Sequence, residues 1–92
     1  MPTYTQASVA YISTQTTTQV VTGPATLHTI TVEGGAAGTI IVYDAASGTT
    51  GTVISFDSTN AIATYTFDIA FGSGIRIATG AATKLTVSYF VS

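Results

Sequence analysis

The stretch Thr64-Tyr65-Thr66-Phe67-Asp68-Ile69-Ala70-Phe71 alternates a small or polar residue with a large apolar one through four periods. Successive side chains of an extended backbone point to opposite faces, so Tyr65, Phe67, Ile69 and Phe71 share one side. The stretch therefore reads as a strand with a dry face and a wet face. The same grammar runs through the chain, in which twenty of 92 residues are threonine and only six are charged. Threonine is β-branched and favours the extended backbone, and its hydroxyl meets water or a neighbour without bringing a charge. A chain written this way is expected to be nearly all sheet, apolar inside and neutral but polar outside.

Working outward, turn residues cut the sequence into seven or eight short strands. Residues 7–14 read as a first strand, and the polar run 15–19 leads into a short Val20-Val21 segment. Gly23-Pro24 breaks the chain there, because proline fixes its own φ and donates nothing to a ladder. At about 25–33 strict alternation sets His28, Ile30 and Val32 against Leu27, Thr29 and Thr31. Thr39-Ile40-Ile41-Val42-Tyr43 is apolar on both faces and reads as a central strand covered on both sides. Strands are also expected at 52–57, around 75–77 and at 84–91, where Leu85, Val87, Tyr89 and Val91 share a face. Gly72-Ser73-Gly74 is a hairpin turn. No segment shows a helical period. Spacings of this kind make an antiparallel two-sheet β-sandwich of jelly-roll type, in a single domain. Its expected division is an N-terminal arm plus first strand at 1–22 and a body at 23–92.

Composition narrows the function. Charged residues are 7% of the chain against roughly 25% in an ordinary domain. A net charge of -2 does little to keep copies apart, so self-association is expected. Arg76 and Lys84 are the only cations and cannot neutralise a phosphate backbone, so nucleic acid is not an expected partner. Cysteine is absent, which removes disulfides and thiolate metal sites. Residues 1–6 do not read as a signal peptide, and no apolar run approaches a membrane helix. Synthesis in a cytoplasm and no membrane partner follow as expectations.

His28 is the only histidine, so one chain offers no zinc cluster. It is expected to be half-buried and bonded to backbone; a ring of His28 side chains around a symmetry axis is the functional alternative. Asp44 and Asp57 are expected to accept backbone N–H bonds at turns, with an ion at that hairpin as the alternative. Asp68 is expected to pair across strands with Arg76 or Lys84. Catalysis lacks its parts: His28 is the sole base for a nucleophile, and no GxSxG elbow is present. The expectation is a protein that is not an enzyme, with no cofactor, metal or small-molecule substrate. Tyr65, Phe67 and Phe71 read as core, whereas Tyr11, Tyr43 and Phe90 are candidates for a contact between subunits.

Four segments carry a resemblance. They are Gly23-Pro24-Ala25-Thr26-Leu27-His28-Thr29-Ile30-Thr31-Val32, Gly38-Thr39-Ile40-Ile41-Val42-Tyr43-Asp44, Tyr65 through Ile75, and Leu85-Thr86-Val87-Ser88-Tyr89. Their order over about residues 20–90 resembles that of small tailed-bacteriophage virion proteins. The resemblance implies a β-sandwich structural protein of the particle, of the head decoration (cement) or minor capsid type. It marks Gly23, Pro24, His28, Tyr43, Asp44, Gly72 and Gly74 as fold and turn positions and brings no catalytic residue. The function expected is a capsid decoration subunit that binds the head shell and bridges neighbouring subunits, located in the virion. Its partners would be itself, as a homotrimer, and the major capsid protein. Contacts are expected from residues 1–22 and one sandwich edge, with Tyr4, Gln6, Tyr11, Gln15, Gln19 and Phe90 as interface residues. The alternatives are a tail, fibre or spike component and a carbohydrate-binding module.

Overall fold

Branched and aromatic residues hold the backbone extended, and glycine-rich turns interrupt it, throughout the computed structural model, which describes residues 7–91. The strands are β1 (Ser8–Ile12), β2 (Thr17–Thr22), β3 (Ala25–Gly35), β4 (Thr39–Asp44), β5 (Thr52–Asp57), β6 (Ala63–Phe71), β7 (Gly74–Thr79) and β8 (Thr83–Val91). They form two four-stranded sheets, in the orders β1-β8-β3-β6 and β2-β7-β4-β5. Every pairing is antiparallel. First pairs with last, second with seventh, third with sixth and fourth with fifth. This is one long hairpin whose strand pairs fall alternately into the two sheets, the topology of a jelly roll. The expected all-β, two-sheet antiparallel sandwich is the fold found.

The inner faces supply one core. Leu27, Ile30, Ile40, Val42, Ile75, Ile77, Leu85 and Val87 are fully buried, and each such side chain contributes ~1.5–3 kcal/mol by leaving water. β4 lies inside its sheet between β7 and β5, the central position expected, but it is not covered on both sides. Ile40 and Val42 are buried against the other sheet, whereas Ile41 on the outer face is half-buried, because a two-sheet sandwich has no third layer. The alternation of β6 also holds: Thr64, Thr66, Asp68 and Ala70 are exposed, and the aromatics between them turn inward. In β8, Leu85 and Val87 are buried and Tyr89 packs on the core, while Val91 at the strand end is exposed.

Two readings change. β1 pairs with β8 and β2 with β7, one in each sheet. Residues 8–22 are thus body strands rather than an arm, because their backbone groups find ladder partners there. The second change is in β3. Its buried positions are Ala25, Leu27, Ile30 and Val32, so the period of two is broken once. The ladders to both neighbours shift between Leu27 and Thr29. Against β8 His28 is the extra residue, whereas against β6 two residues, Phe67 and Asp68, stand opposite His28. The bulge in β3 puts Leu27 on the same face as Ile30.

Three buried hydroxyl groups tie the turns to the sheets. The Thr79 hydroxyl accepts from the Thr16 N–H (3.0 Å) and donates to the Thr14 carbonyl (2.7 Å). The Thr83 hydroxyl donates to the Ala36 carbonyl (2.6 Å). The Ser58 hydroxyl accepts from the Gly38 N–H (3.1 Å) and donates to the Gly38 carbonyl (2.9 Å). Each of these part-buried bonds fastens backbone of a turn to a buried side chain of the body and leaves the hydroxyl itself satisfied.

Candidate interaction surface

The outer face of the β1-β8-β3-β6 sheet follows from register and pleat. Tyr11 lies opposite Thr86, Thr86 opposite Thr31, and Thr31 opposite Thr64. The next row outward is Val9, Ser88, Thr29 and Thr66. Six hydroxyls therefore stand in two rows across three strands, flanked on β1 by two apolar side chains. Strands lie ~4.8 Å apart, so neighbouring hydroxyls are within reach of one another. The Thr31 and Thr64 hydroxyls are 3.1 Å apart and hydrogen-bonded, and the Thr86 hydroxyl donates to the Glu33 carboxylate. Val9 and Tyr11 are 63% and 57% exposed, among the most exposed large apolar residues of the chain.

The bulge sits at the far end of this face. There His28 Nδ1 is 2.5 Å from Asp68 Oδ1, and the His28 ring packs against Phe90 with centroids 5.5 Å apart. Asp68 is held at φ 52°, the left-handed region that aspartate tolerates better than most residues. His28 is thus half-exposed and bonded to a carboxylate, not to backbone, and Asp68 pairs with His28 instead of Arg76 or Lys84. Both differences come from the bulge, which turns the histidine out beside the opposite strand. As the pair is exposed, it contributes no more than ~1 kcal/mol.

The other predicted positions scatter. Tyr4 and Gln6 lie outside the described residues. Gln15 is exposed in the turn after β1, and Pro24 is exposed beside Gly23. Gln19 is a clamp inside the chain. Its amide nitrogen donates to the carbonyls of Val21 (2.8 Å) and Ala45 (2.9 Å), and its oxygen accepts from Arg76 Nη1 (3.0 Å). Tyr43 is buried within the subunit. The Asp44 carboxylate accepts from the N–H groups of Ser73 (2.8 Å) and Gly72 (3.1 Å). Those bonds, Ser73 first, hold its pKa below the ordinary 3.8. The Gly23 N–H donates to the Ser73 carbonyl at 2.9 Å, so the 23–24 turn and the 72–74 turn meet.

Asp57 accepts from the Thr39 hydroxyl (2.9 Å) rather than from a turn N–H. It pairs with Thr39 at the opposite end of β4 from Asp44, about five residues or ~17 Å away along the strand. The two carboxylates therefore cannot share an ion. Among the described residues, no three His, Asp or Glu side chains converge, and no pocket opens.

Two features escaped the sequence reading. Phe56 packs against Tyr65 and Phe67, with centroids 4.8 and 6.3 Å away, and closes the core between β5 and β6. The alternation of Phe56 with exposed Ser55 and Asp57 was its signal. Gln19 had none, since nothing local separates it from Gln15. No protein-family model, curated protein or solved structure matches the chain.

Proposed function

We propose that the protein is a non-enzymatic structural subunit of a virion, decorating the head shell by binding copies of itself and the major shell protein. The observation that carries this is the pair of uncharged hydroxyl rows on the outer face of the β1-β8-β3-β6 sheet, beside exposed Val9 and Tyr11, with the charges of Glu33 and Asp68 standing at the ends of the rows. A hydroxyl both donates and accepts, so such a face pairs with a partner without like-charge repulsion. It also avoids the several kcal/mol that stripping water from an ion costs. Repetition suits it: many copies, each with a modest contact, hold a shell by avidity. The sequence resemblance points the same way, and the jelly roll is compatible with it, although a fold alone does not assign a task.

The alternative of a host-facing fibre, spike or sugar-binding module calls for aromatic rings at the loop tips. Among the described residues, none of the connections between strands carries one. The direct test adds the purified chain to heads assembled without it and images the product. Regular density over the joints of the shell, with the hydroxyl face turned inward, is expected. Density confined to the tail, or no binding to heads, overturns the reading.

A further inference from the structure

Each sheet has two edge strands: β1 and β6 in one, β2 and β5 in the other. An edge presents unpaired backbone N–H and C=O groups, and proteins blunt that invitation with charges, prolines and bulges. Three of the four edges here are blunted. β6 is bulged at Asp68, which also places a carboxylate and a left-handed residue in the strand. β2 is irregular between Gln19 and Val21 and ends at Gly23-Pro24. β5 is out of register at Val53, since Val42 faces Ile54 but Tyr43 faces Thr52, and it ends on Asp57. β1 has none of these features. Its sequence Ser8-Val9-Ala10-Tyr11-Ile12 is uncharged and runs in unbroken register with β8. Among the described residues, nothing pairs with its other side.

We infer that β1 is a docking edge for β1 of a second copy, pairing antiparallel about a two-fold axis through Ala10. The partner follows from the edges themselves. A regular strand needs a regular strand, and β1 is the sole regular edge among the described strands. A contact of one patch with itself is isologous and closes as a dimer. The sequence fits that register. Centring on Ala10 sets Val9 opposite the second copy's Tyr11, and Tyr11 opposite its Val9, on the outer face. An aromatic beside a β-branched residue is a stabilising cross-strand pair. Both residues lose the exposure that is costly in water, and no like charges meet. The two sheets would then run on as one of eight strands, doubling the hydroxyl face. A two-fold link differs from the three-fold cluster expected from the sequence. It joins subunits in pairs, which is how a decoration layer would bridge neighbouring sites.

This pairing deepens the shell-subunit reading at its self-association step, so its test uses the isolated full chain without heads. Light scattering after size exclusion is expected to give twice 9.3 kDa at high concentration, falling on dilution. Val9→Lys combined with Tyr11→Lys puts like charges opposite each other and should weaken the dimer by about tenfold or more. Both positions are exposed, so the monomer keeps its fold. The chain has no cysteine, which allows a register test. Val9→Cys mixed with Tyr11→Cys should form a disulfide across the axis, because opposed Cα atoms lie ~4.5–5.5 Å apart, within disulfide reach. Either variant alone leaves its thiols ~7–8 Å apart on the diagonal, too far to bridge. A chain of 9.3 kDa at every concentration, or a dimer indifferent to the lysines, overturns the inference. A monomer whose lysine variant fails to bind heads overturns it too and gives the edge to a strand of the shell protein. Head binding by a monomer whose lysine variant binds equally refutes the pairing alone.

Discussion

Gln15 and Gln19 look alike in the sequence and are expected to behave very differently when replaced by alanine. The amide of Gln19 makes two good bonds to carbonyls, and its oxygen holds the Arg76 guanidinium at 3.0 Å. A neutral hydrogen bond is worth ~1 kcal/mol and one to a charged group ~1.5–3, so the gross loss is ~3.5–5 kcal/mol. The site is half-buried, and water reaching the vacated groups recovers part of this, leaving ~2–3 kcal/mol. Arg76 makes the loss harder to absorb, because its Nε is buried and has no partner among the described residues. For a domain of this size each kcal/mol shifts the melting temperature by ~4–8 °C, so Gln19→Ala should melt roughly 10–20 °C lower. Gln15→Ala, at an exposed turn position, should stay within ~0.5 kcal/mol of the parent. Thermal unfolding followed by circular dichroism is the assay, at one fixed protein concentration so that self-association contributes equally. A drop below ~5 °C for Gln19→Ala, or equal drops for both variants, would refute the clamp.

Two further outcomes follow from the meeting of the 23–24 and 72–74 turns. Asp44 has a pKa depressed by backbone N–H bonds in the folded state. Its contribution is therefore present above the unfolded value near 3.8 and is lost as pH falls through the lower folded value. Melts between pH 5 and pH 2 should show Asp44→Ala losing less stability on acidification than the parent, and parallel curves would count against the bonds. Gly74 sits at φ 147°, and a Cβ there would lie 2.6 Å from the Val21 carbonyl oxygen and 2.9 Å from that of Ala45. Gly74→Ala should cost ~1–3 kcal/mol in urea unfolding, whereas Gly72→Ala meets open space. Similar midpoints for the two would contradict the close approach at Gly74.

Much of the fold was legible because its rules are local. Tyr65, Phe67 and Phe71 declared their face through neighbours one residue away, and the two-sided run at Ile40–Val42 declared a central strand. The outer face was legible in kind, since threonine at alternate positions leaves hydroxyls wherever the apolar partners turn inward. The candidate surface was less so. Tyr11 was picked out as a contact residue and is exposed, but Tyr43 and Gln19 turned out to be occupied within the subunit. His28 and Asp68 were read one by one, although forty residues separate them and only their two strands bring them together.

Composition and alternation by themselves determined that this chain is a neutral two-sheet sandwich with little charge to carry chemistry, because pleating ties each side chain's direction to its immediate neighbours. Tertiary structure alone decided which strands became edges and where the β3 bulge reset the phase. It also decided which of two similar glutamines became a clamp. Those outcomes depend on hydrogen-bond partners lying twenty to eighty residues away along the chain, and no local pattern records which distant strand will arrive alongside.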